Sequence, residues 1–246
     1  MIKEITSINN ELIKEASKLK EKKYRDQKGK FLIEGYHLIE MASDLLETVF
    51  VTDKRDYDKI PGVNYYLVSK EVINKLSQTI NSQGIVGICH KLEEKEIKSN
   101  NVLMFDNLQD PGNVGTLIRS ALAFNCKDVI LSLNTVDIYN DKVIRSSQGA
   151  IFKINIIYRN LVDEIKKLQK DGYKVYGTSL NNAKSIDDIE FPKKKVIILG
   201  NEGNGVSSDI LQETDENIYL EMNKEIDSLN VGVAGSIIMY ELFKNN

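Results

Sequence analysis

The stretch Val196-Ile197-Ile198-Leu199-Gly200-Asn201-Glu202-Gly203-Asn204-Gly205-Val206 decides how this chain is built. Four consecutive apolar residues with no polar alternation suit a strand buried on both faces, as in a parallel sheet covered by helices. Three glycines within six residues then precede a helical pattern over 207–212. Glycine at that density implies positive φ or a backbone that must approach a neighbour or a ligand closely. The loop lacks the Gly-Lys-Ser/Thr ending of a phosphate-binding P-loop and does not match Gly-x-Gly-x-x-Gly. Its carboxylate, Glu202, would repel a nucleotide phosphate, so a cationic or neutral ligand fits better.

Further runs without polar alternation lie at 102–105, 129–131, 174–176 and 218–220, with helical patterns at 113–124, 161–170 and 229–243. Strand and helix alternate, which is the pattern of a parallel α/β sheet. Toward the N-terminus, Ile8, Leu12, Ala16 and Leu19 share one face of a helix over 8–20, with Ser7, Asn9 and Asn10 available as caps. A strand at 31–33, a helix at 36–46, strands at 48–52 and 65–68, a helix at 70–78 and a strand at 84–89 follow, a second α/β unit. Residues 91–101 are highly charged and lack apolar periodicity. The expected organisation is a domain over 1–94, a linker over 95–100 and a domain over 101–246.

A length of 246 residues suits two modest domains, and the 41% hydrophobic and 28% charged shares are those of a globular protein. The longest apolar stretches fall far short of the ~20 residues that span a bilayer, so no membrane association is expected. Residues 1–6 put polar and acidic side chains where a signal peptide needs an apolar core, and the expected location is the cytoplasm. Cys89 and Cys126 sit apart in apolar segments, and His37 and His90 lie in no metal or triad pattern, so neither a disulfide nor a metal site is expected. The net charge of −3 does not advertise a nucleic-acid binder. Between Lys14 and Lys30, however, eight basic residues face three acidic ones, a patch that either tracks a phosphate backbone or is a solvated helix face.

Two more loops follow strands, where ligands collect in open α/β sheets. The first, over 106–115, contains Asp110-Pro111-Gly112-Asn113, a turn in which Asn113 is placed to cap the following helix. Arg119 lies about a turn and a half into that helix, where a guanidinium can clamp a phosphate in a fork. The second, over 220–236, includes Ser228-Leu229-Asn230-Val231 and then small residues at 232, 234, 235 and 236. Ser228 is a candidate N-cap, and the small residues suit close approach to a ligand or plain helix packing.

Together, Asn113 with Arg119, Gly200-Asn201-Glu202-Gly203-x-Gly205, and Ser228-Leu229-Asn230-Val231 resemble the three motifs of the SpoU (TrmH) branch of the SPOUT RNA methyltransferases, over 102–242. Phe31-Leu32-Ile33-Glu34-Gly35 and Ser82-Gln83-Gly84-Ile85-Val86 resemble the ribosomal-protein-L30e-like substrate-binding domain found on many members. The chain departs from the family pattern at Glu221, where many members have proline, and at Lys224, often glycine.

The resemblance implies a C-terminal α/β knot, a trefoil-knotted exception to the rule against threaded chains, in a homodimer whose active sites mix residues of both subunits. The implied activity is transfer of a methyl group from S-adenosylmethionine to an RNA ribose 2'-hydroxyl. Ribosomal RNA of the 23S type is the expected substrate; a tRNA, or an RNA-binding module with an inactive pocket, are the alternatives. Catalytic positions fall at Asn113, Arg119, Glu202, Ser228 and Asn230. Cofactor positions fall at Thr178, Ser179, Leu199, Gly200, Asn201, Gly205, Leu220, Met222, Ser228 and Leu229. RNA contacts are expected at Lys22, Lys23, Arg25, Lys28, Lys30, Glu34, Arg119 and Arg145. A general-base role has been proposed for the family's arginine, but a guanidinium with a pKa above 12 is an awkward base, and an electrostatic role toward the phosphate and the developing alkoxide suits it better. A nucleotide-dependent doubly wound enzyme is disfavoured by the missing phosphate fingerprints.

Overall fold

A computed structural model describes residues 2–223, 225–226 and 228–244. The chain forms two compact units, one made of the chain up to Glu93 together with Tyr139–Phe152, the other of Glu94–Ile138 and the chain from Lys153 onward.

The first unit begins with β1 (Glu4–Ile5), α1 (Glu11–Lys18), α2 (Lys22–Lys28), β2 (Lys30–Glu34) and α3 (Tyr36–Met41), then β3 (Leu46–Val51), β4 (Asn64–Val68), α4 (Lys70–Leu76) and β5 (Ile85–His90). Its sheet runs β1-β4-β3-β5-β2, with the β1–β4 and β4–β3 pairs parallel and β5 antiparallel to both neighbours. Asn10 caps α1 by accepting from Leu12 N at 2.9 Å. Helix α2 has no apolar stripe. Its Arg25 is only 5% exposed and donates through Nη1 to Leu19 O (3.0 Å) and Lys20 O (2.6 Å), satisfying carbonyls that the end of α1 leaves open.

The second unit starts with β6 (Asn101–Phe105), α5 (Pro111–Ala123) and β7 (Asp128–Ser132). The chain then makes α6 (Asp141–Ser147), which packs in the first unit, and continues with β8 (Asn155–Arg159), α7 (Leu161–Lys170), β9 (Lys174–Thr178), β10 (Lys184–Ser185), β11 (Lys195–Leu199), α8 (Ser208–Leu211), β12 (Glu216–Tyr219) and α9 (Val231–Lys244). All seven strands are parallel, in the order β10-β12-β9-β11-β6-β7-β8. Side chains alternate between the two faces. Met104, Ile130, Val196 and Ile198 pack with Ile165 and Leu168 of α7 and Ile210 of α8. Leu199 points to the other face, where α5 and α9 lie so close that a Cβ on Gly235 would stand 2.4 Å from Leu117 and 2.6 Å from Leu199.

The charged stretch expected as a linker is tied down along the second unit. Asn155 exchanges hydrogen bonds with the backbone of Lys95, both 2.9 Å, and Asp128 Oδ2 accepts from Lys98 N (3.1 Å), Ser99 N (2.7 Å) and Ser99 Oγ (2.6 Å). Burial pushes the Asp128 carboxyl up, but these donors outweigh it and hold it below the usual carboxylate range. In the first unit, Tyr139 and Phe152 flank Phe31 with ring centroids 4.6 and 6.4 Å away, and Val143 and Ile144 of α6 are buried.

Candidate active site

The loops after β6, β11 and β12 emerge at the same edge of the parallel sheet, because every parallel strand presents its C-terminal end there. Their side chains join into one chain of hydrogen bonds. Glu202 accepts from Asp110 N (3.1 Å), Gln109 N (3.3 Å) and Asn113 Nδ2 (3.1 Å). Asn113 Oδ1 in turn accepts from Asn230 Nδ2 at 3.0 Å. Asn230 Oδ1 then accepts from Gly232 N (2.9 Å) and Val233 N (3.3 Å), opening α9. Partial burial raises the Glu202 carboxyl, while the Asn113 amide and the backbone donors lower it further than burial lifts it, so it is held below the usual carboxylate range.

Two caps differ from expectation. Helix α5 is capped by Asp110, which accepts from Asn113 N at 2.9 Å, so the Asn113 amide is left to link the loops. Helix α9 is opened by Asn230 rather than Ser228. Several residues of each turn are good caps by type, and only the position at which the chain turns selects among them.

The glycine-rich loop closes as a tight hairpin in which Asn201 and Gly205 exchange backbone hydrogen bonds of 3.0 and 2.9 Å. Asn201 Nδ2 also donates to Asn107 O at 2.8 Å. At Gly200 a Cβ would lie 2.0 Å from Val206 N, so no larger residue fits. Below it, Asp106 at the end of β6 accepts from Ser207 N (2.8 Å) and Ser207 Oγ (2.7 Å), fixing the far side of the loop to the sheet.

Beside this network lies a cleft of about 440 Å³, within the range of small-ligand pockets. Thr178, Ser179, Leu199, Gly200, Asn201, Gly205, Leu220, Met222, Ser228 and Leu229, the positions expected to hold a cofactor, all line it, as do Glu202 and Asn230. Leu180, Ile218 and Ile238 also line it without having been singled out, as does Ala234, one of the small residues read as suited to close approach. Ile218 and Ile238 look in sequence like any core isoleucine, and nothing marks Leu180, which simply follows β9. Glu221 is exposed, and Lys224 lies outside the described residues.

The remaining expected positions are dispersed. Arg119 is exposed on α5, and its guanidinium makes no hydrogen bond or ion pair with a described residue. In the first unit, Arg25 is buried among carbonyls and is withdrawn from the surface, which removes it from the expected RNA contacts. Lys22 pairs with Asp26 (2.6 Å), Lys28 with Glu15 (3.5 Å), Lys30 with Glu47, and Arg145 with Asp141 (2.7 Å), while Lys23 stays exposed beside the Tyr24 ring. Lys22, Lys28 and Lys30 are thus engaged by carboxylates, while the stretch as a whole keeps an excess of positive charge. The Glu34 carboxylate is taken up by residues 77–79.

Residues 100–240 match the model of the SpoU rRNA Methylase family. The chain belongs to this family. Residues 10–87 match the MRM3-like substrate binding domain, so the SpoU chain carries both parts. It is 38% identical over 246 residues to the 23S rRNA (guanosine(2553)-2'-O)-methyltransferase RlmP of Bacillus subtilis, covering 98% of this chain and 99% of that protein. An rRNA methyltransferase structure from Sinorhizobium meliloti superposes with a TM-score of 0.90 at 27% identity, over 99% of this chain and 98% of that one. The AdoMet-bound form from the same organism gives 0.89 at 27% identity over the same shares. Among the described residues no group of three or more His, Cys, Asp or Glu side chains is placed to hold a metal, and no helix is long and apolar enough to cross a membrane.

Proposed function

We propose that this chain is a ribose 2'-O-methyltransferase of 23S ribosomal RNA that uses S-adenosylmethionine. The observation that carries the reading is the Glu202–Asn113–Asn230 chain, which locks three separate loops around one cleft. The family match and the relative named for 2'-O-methylation of a 23S guanosine support the reaction and the substrate.

The cleft suits the cofactor chemically. Leu199, Leu220, Met222 and Ile238 offer an apolar bed for a flat neutral base, and Thr178, Ser179, Asn201 and Ser228 offer polar atoms around it. Glu202 brings negative charge to one side, which favours a sulfonium and disfavours a phosphate. S-adenosylmethionine supplies a methyl group on a positively charged sulfur. The protein's share is positioning, which can supply much of the acceleration of an in-line displacement. The Asn113 bridge fixes the angle between the glycine-rich hairpin and the start of α9. Ser228 and Asn230 line the cleft and would orient the ribose hydroxyl. Arg119, with no partner among the described residues, is available to grip the phosphate beside the target ribose and to stabilise the alkoxide as its proton leaves to water.

Two further parts of the reading follow from the chain's path. The insertion of β11 between β9 and β6 and of β12 between β10 and β9 is the strand order on which we base a trefoil knot. Helix α9 exposes Val233, Ile237, Tyr240 and Phe243, and Tyr240 and Phe243 also pack on Phe124 of α5 at 5.6 and 6.1 Å. An apolar face of this kind calls for a cover, and a second copy of the chain supplies it. Arg119 lies on α5, beside that face.

The test is incubation of the protein with labelled S-adenosylmethionine and unmodified 23S rRNA, followed by mass-spectrometric mapping. A methyl group on one ribose 2'-oxygen is expected. Methylation of a base, or transfer to tRNA alone, would overturn the assignment.

A further inference from the structure

Just past the end of β6, Asn107 sits in the left-handed region with a φ of +54°. A residue other than glycine is uncommon there, and asparagine is among the side chains that tolerate it best. In an extended strand the N–H and C=O of one residue point to the same neighbouring strand. At Asn107 they part. The N–H donates to Ser132 Oγ at 2.9 Å, at the end of β7, which flanks β6 on one side. The carbonyl serves the other side, where β11 lies, and accepts from Asn201 Nδ2 at 2.8 Å. Gln109 Nε2 donates to the same carbonyl at 3.2 Å. The side-chain amide stays local: Nδ2 donates to Asp106 Oδ1 at 2.9 Å, and Oδ1 accepts from Ser132 Oγ at 3.4 Å.

The carbonyl takes effect through Asn201. With its Nδ2 held by Asn107, the Asn201 amide aims its Oδ1 into the glycine-rich hairpin, where it accepts from Gly203 N at 2.9 Å and Asn204 N at 3.3 Å. Moving the Asn107 carbonyl away would free that amide to rotate and leave the two turn donors without it. The same short segment grips the hairpin twice more. Glu202, next to Asn201, is held by the N–H groups of Gln109 and Asp110, and the far end at Ser207 is held by Asp106. A single bend at residue 107 thus aligns the first loop with three successive points of the hairpin. Asn201, Glu202 and Gly205 line the cleft, while Asn107 stands behind them and does not.

We propose that Asn107 is a positioning residue for methyl transfer: its left-handed backbone holds its carbonyl on Asn201 and so sets the glycine-rich hairpin, with Glu202, against the cofactor cleft. The backbone conformation carries the role, and the asparagine side chain makes that conformation affordable. The inference rests on the reading of the chain as an S-adenosylmethionine-dependent methyltransferase.

Two substitutions in the full-length protein separate conformation from side chain. Asn107→Val opposes the bend, because a β-branched residue is an outlier at positive φ, whereas Asn107→Gly keeps both the bend and the carbonyl. Asn107→Val is expected to raise the calorimetric Kd for S-adenosylmethionine by about five- to thirtyfold, the equivalent of the usual cost of a left-handed residue. Its kcat at saturating cofactor and 23S rRNA transcript should fall by about tenfold or more, since a misplacement of about 1 Å can cost a hundredfold. Its KM for the transcript stays at the wild-type value, because residues 10–87, which match a substrate-binding domain, are untouched. Asn107→Gly recovers most of both losses. Hydrogen exchange at the amides of 203–205 is faster in the valine variant and returns toward the wild-type rate in the glycine variant. On an Asn201→Ala background, Asn107→Val adds no further loss of cofactor affinity, since the two act through one hydrogen bond. A glycine variant as damaged as the valine one, additive losses in that cycle, or a valine variant that melts lower but keeps wild-type Kd and kcat overturns the proposal. If the valine variant fails to fold, Asn107→Ala, a milder opponent of the bend, is read by the same criteria. A wild-type chain that neither binds S-adenosylmethionine nor methylates the transcript overturns the methyltransferase reading itself, and the exchange rates distinguish that failure from a failure of the Asn107 clamp.

Discussion

Replacing Gly200 by alanine tests whether the glycine-rich hairpin is as tight as its geometry states. The new Cβ would stand 2.0 Å from Val206 N and 2.1 Å from the Gly205 carbonyl carbon, where real Cβ atoms keep at least 3.0 Å, so residues 205–206 must retreat by about 1 Å. That retreat breaks the pair of backbone hydrogen bonds between Asn201 and Gly205, each worth ~1 kcal/mol net. Adding the usual overpacking cost of ~1–3 kcal/mol gives ~3–5 kcal/mol in all. Differential scanning calorimetry should then show the second unit melting roughly 6–20 °C lower. Because the hairpin lines the cleft, titration calorimetry should show S-adenosylmethionine affinity falling at least about tenfold, equivalent to ~1.4 kcal/mol. The neighbouring glycines are internal controls. At Gly203 the nearest atom to a Cβ is 3.6 Å away, so Gly203→Ala should be nearly silent. At Gly205 nothing lies within 4 Å but φ is +69°, so Gly205→Ala should cost ~1–2 kcal/mol through backbone strain alone. A Gly200→Ala protein that melts and binds like wild type, or a Gly203→Ala protein equally damaged, would refute the argument.

Arg119→Ala should abolish methyl transfer while leaving S-adenosylmethionine affinity unchanged by calorimetry; retained turnover would remove the arginine from the mechanism. In a double-mutant cycle, Asn113→Ala and Asn230→Ala should couple by at least ~0.5 kcal/mol in kcat/KM, since they share one hydrogen bond, and strict additivity would show the bridge to be idle. The Glu202 carboxyl is held below its ordinary value of 4.5 in the folded protein, so its stabilising contribution is complete above that pH and drains away as acid carries the pH through the folded value. The melting-temperature gap between wild type and Glu202→Gln should therefore be constant near neutrality and shrink below pH 4.5; a gap that widens in acid would contradict it. Ile237→Asp, on the exposed face of α9, should yield a monomer by analytical ultracentrifugation and lose methylation with it, and an unchanged sedimentation coefficient would count against the dimer.

Much of the second unit was legible because its signals are local. Helix α7 occupies the expected residues, 161–170, since its amphipathic stripe and its Asn160 cap coincide. Strands β6, β7, β9, β11 and β12 were read from their apolar runs, while β8 was missed although its Ile156-Ile157-Tyr158 run is no shorter than the Val175-Tyr176 run of β9. Helix α2 escaped because its stability comes from a guanidinium reaching back to α1, a contact that no periodicity announces. The cleft's polar residues were visible as motifs. The identity of the residue that caps each helix was not, because Asp110 and Asn113, like Ser228 and Asn230, compete with equal chemistry until the backbone chooses. The pairing of Lys30 with Glu47 needed three dimensions as well, since the two are distant in sequence.

The excursion of Tyr139–Phe152 into the first unit means that the peptide chain passes between the two units at three places rather than one. A single protease nick near Glu93 would leave them covalently joined through two other strands of chain. Expressing only residues 100–246 would strand Val143, Ile144 and Ile151, all buried in the intact protein, without the surroundings that shelter them, and such a fragment should aggregate. Gene fusion or loss could not simply swap the N-terminal part for another recognition module; an exchange would have to replace this inserted segment in the same event.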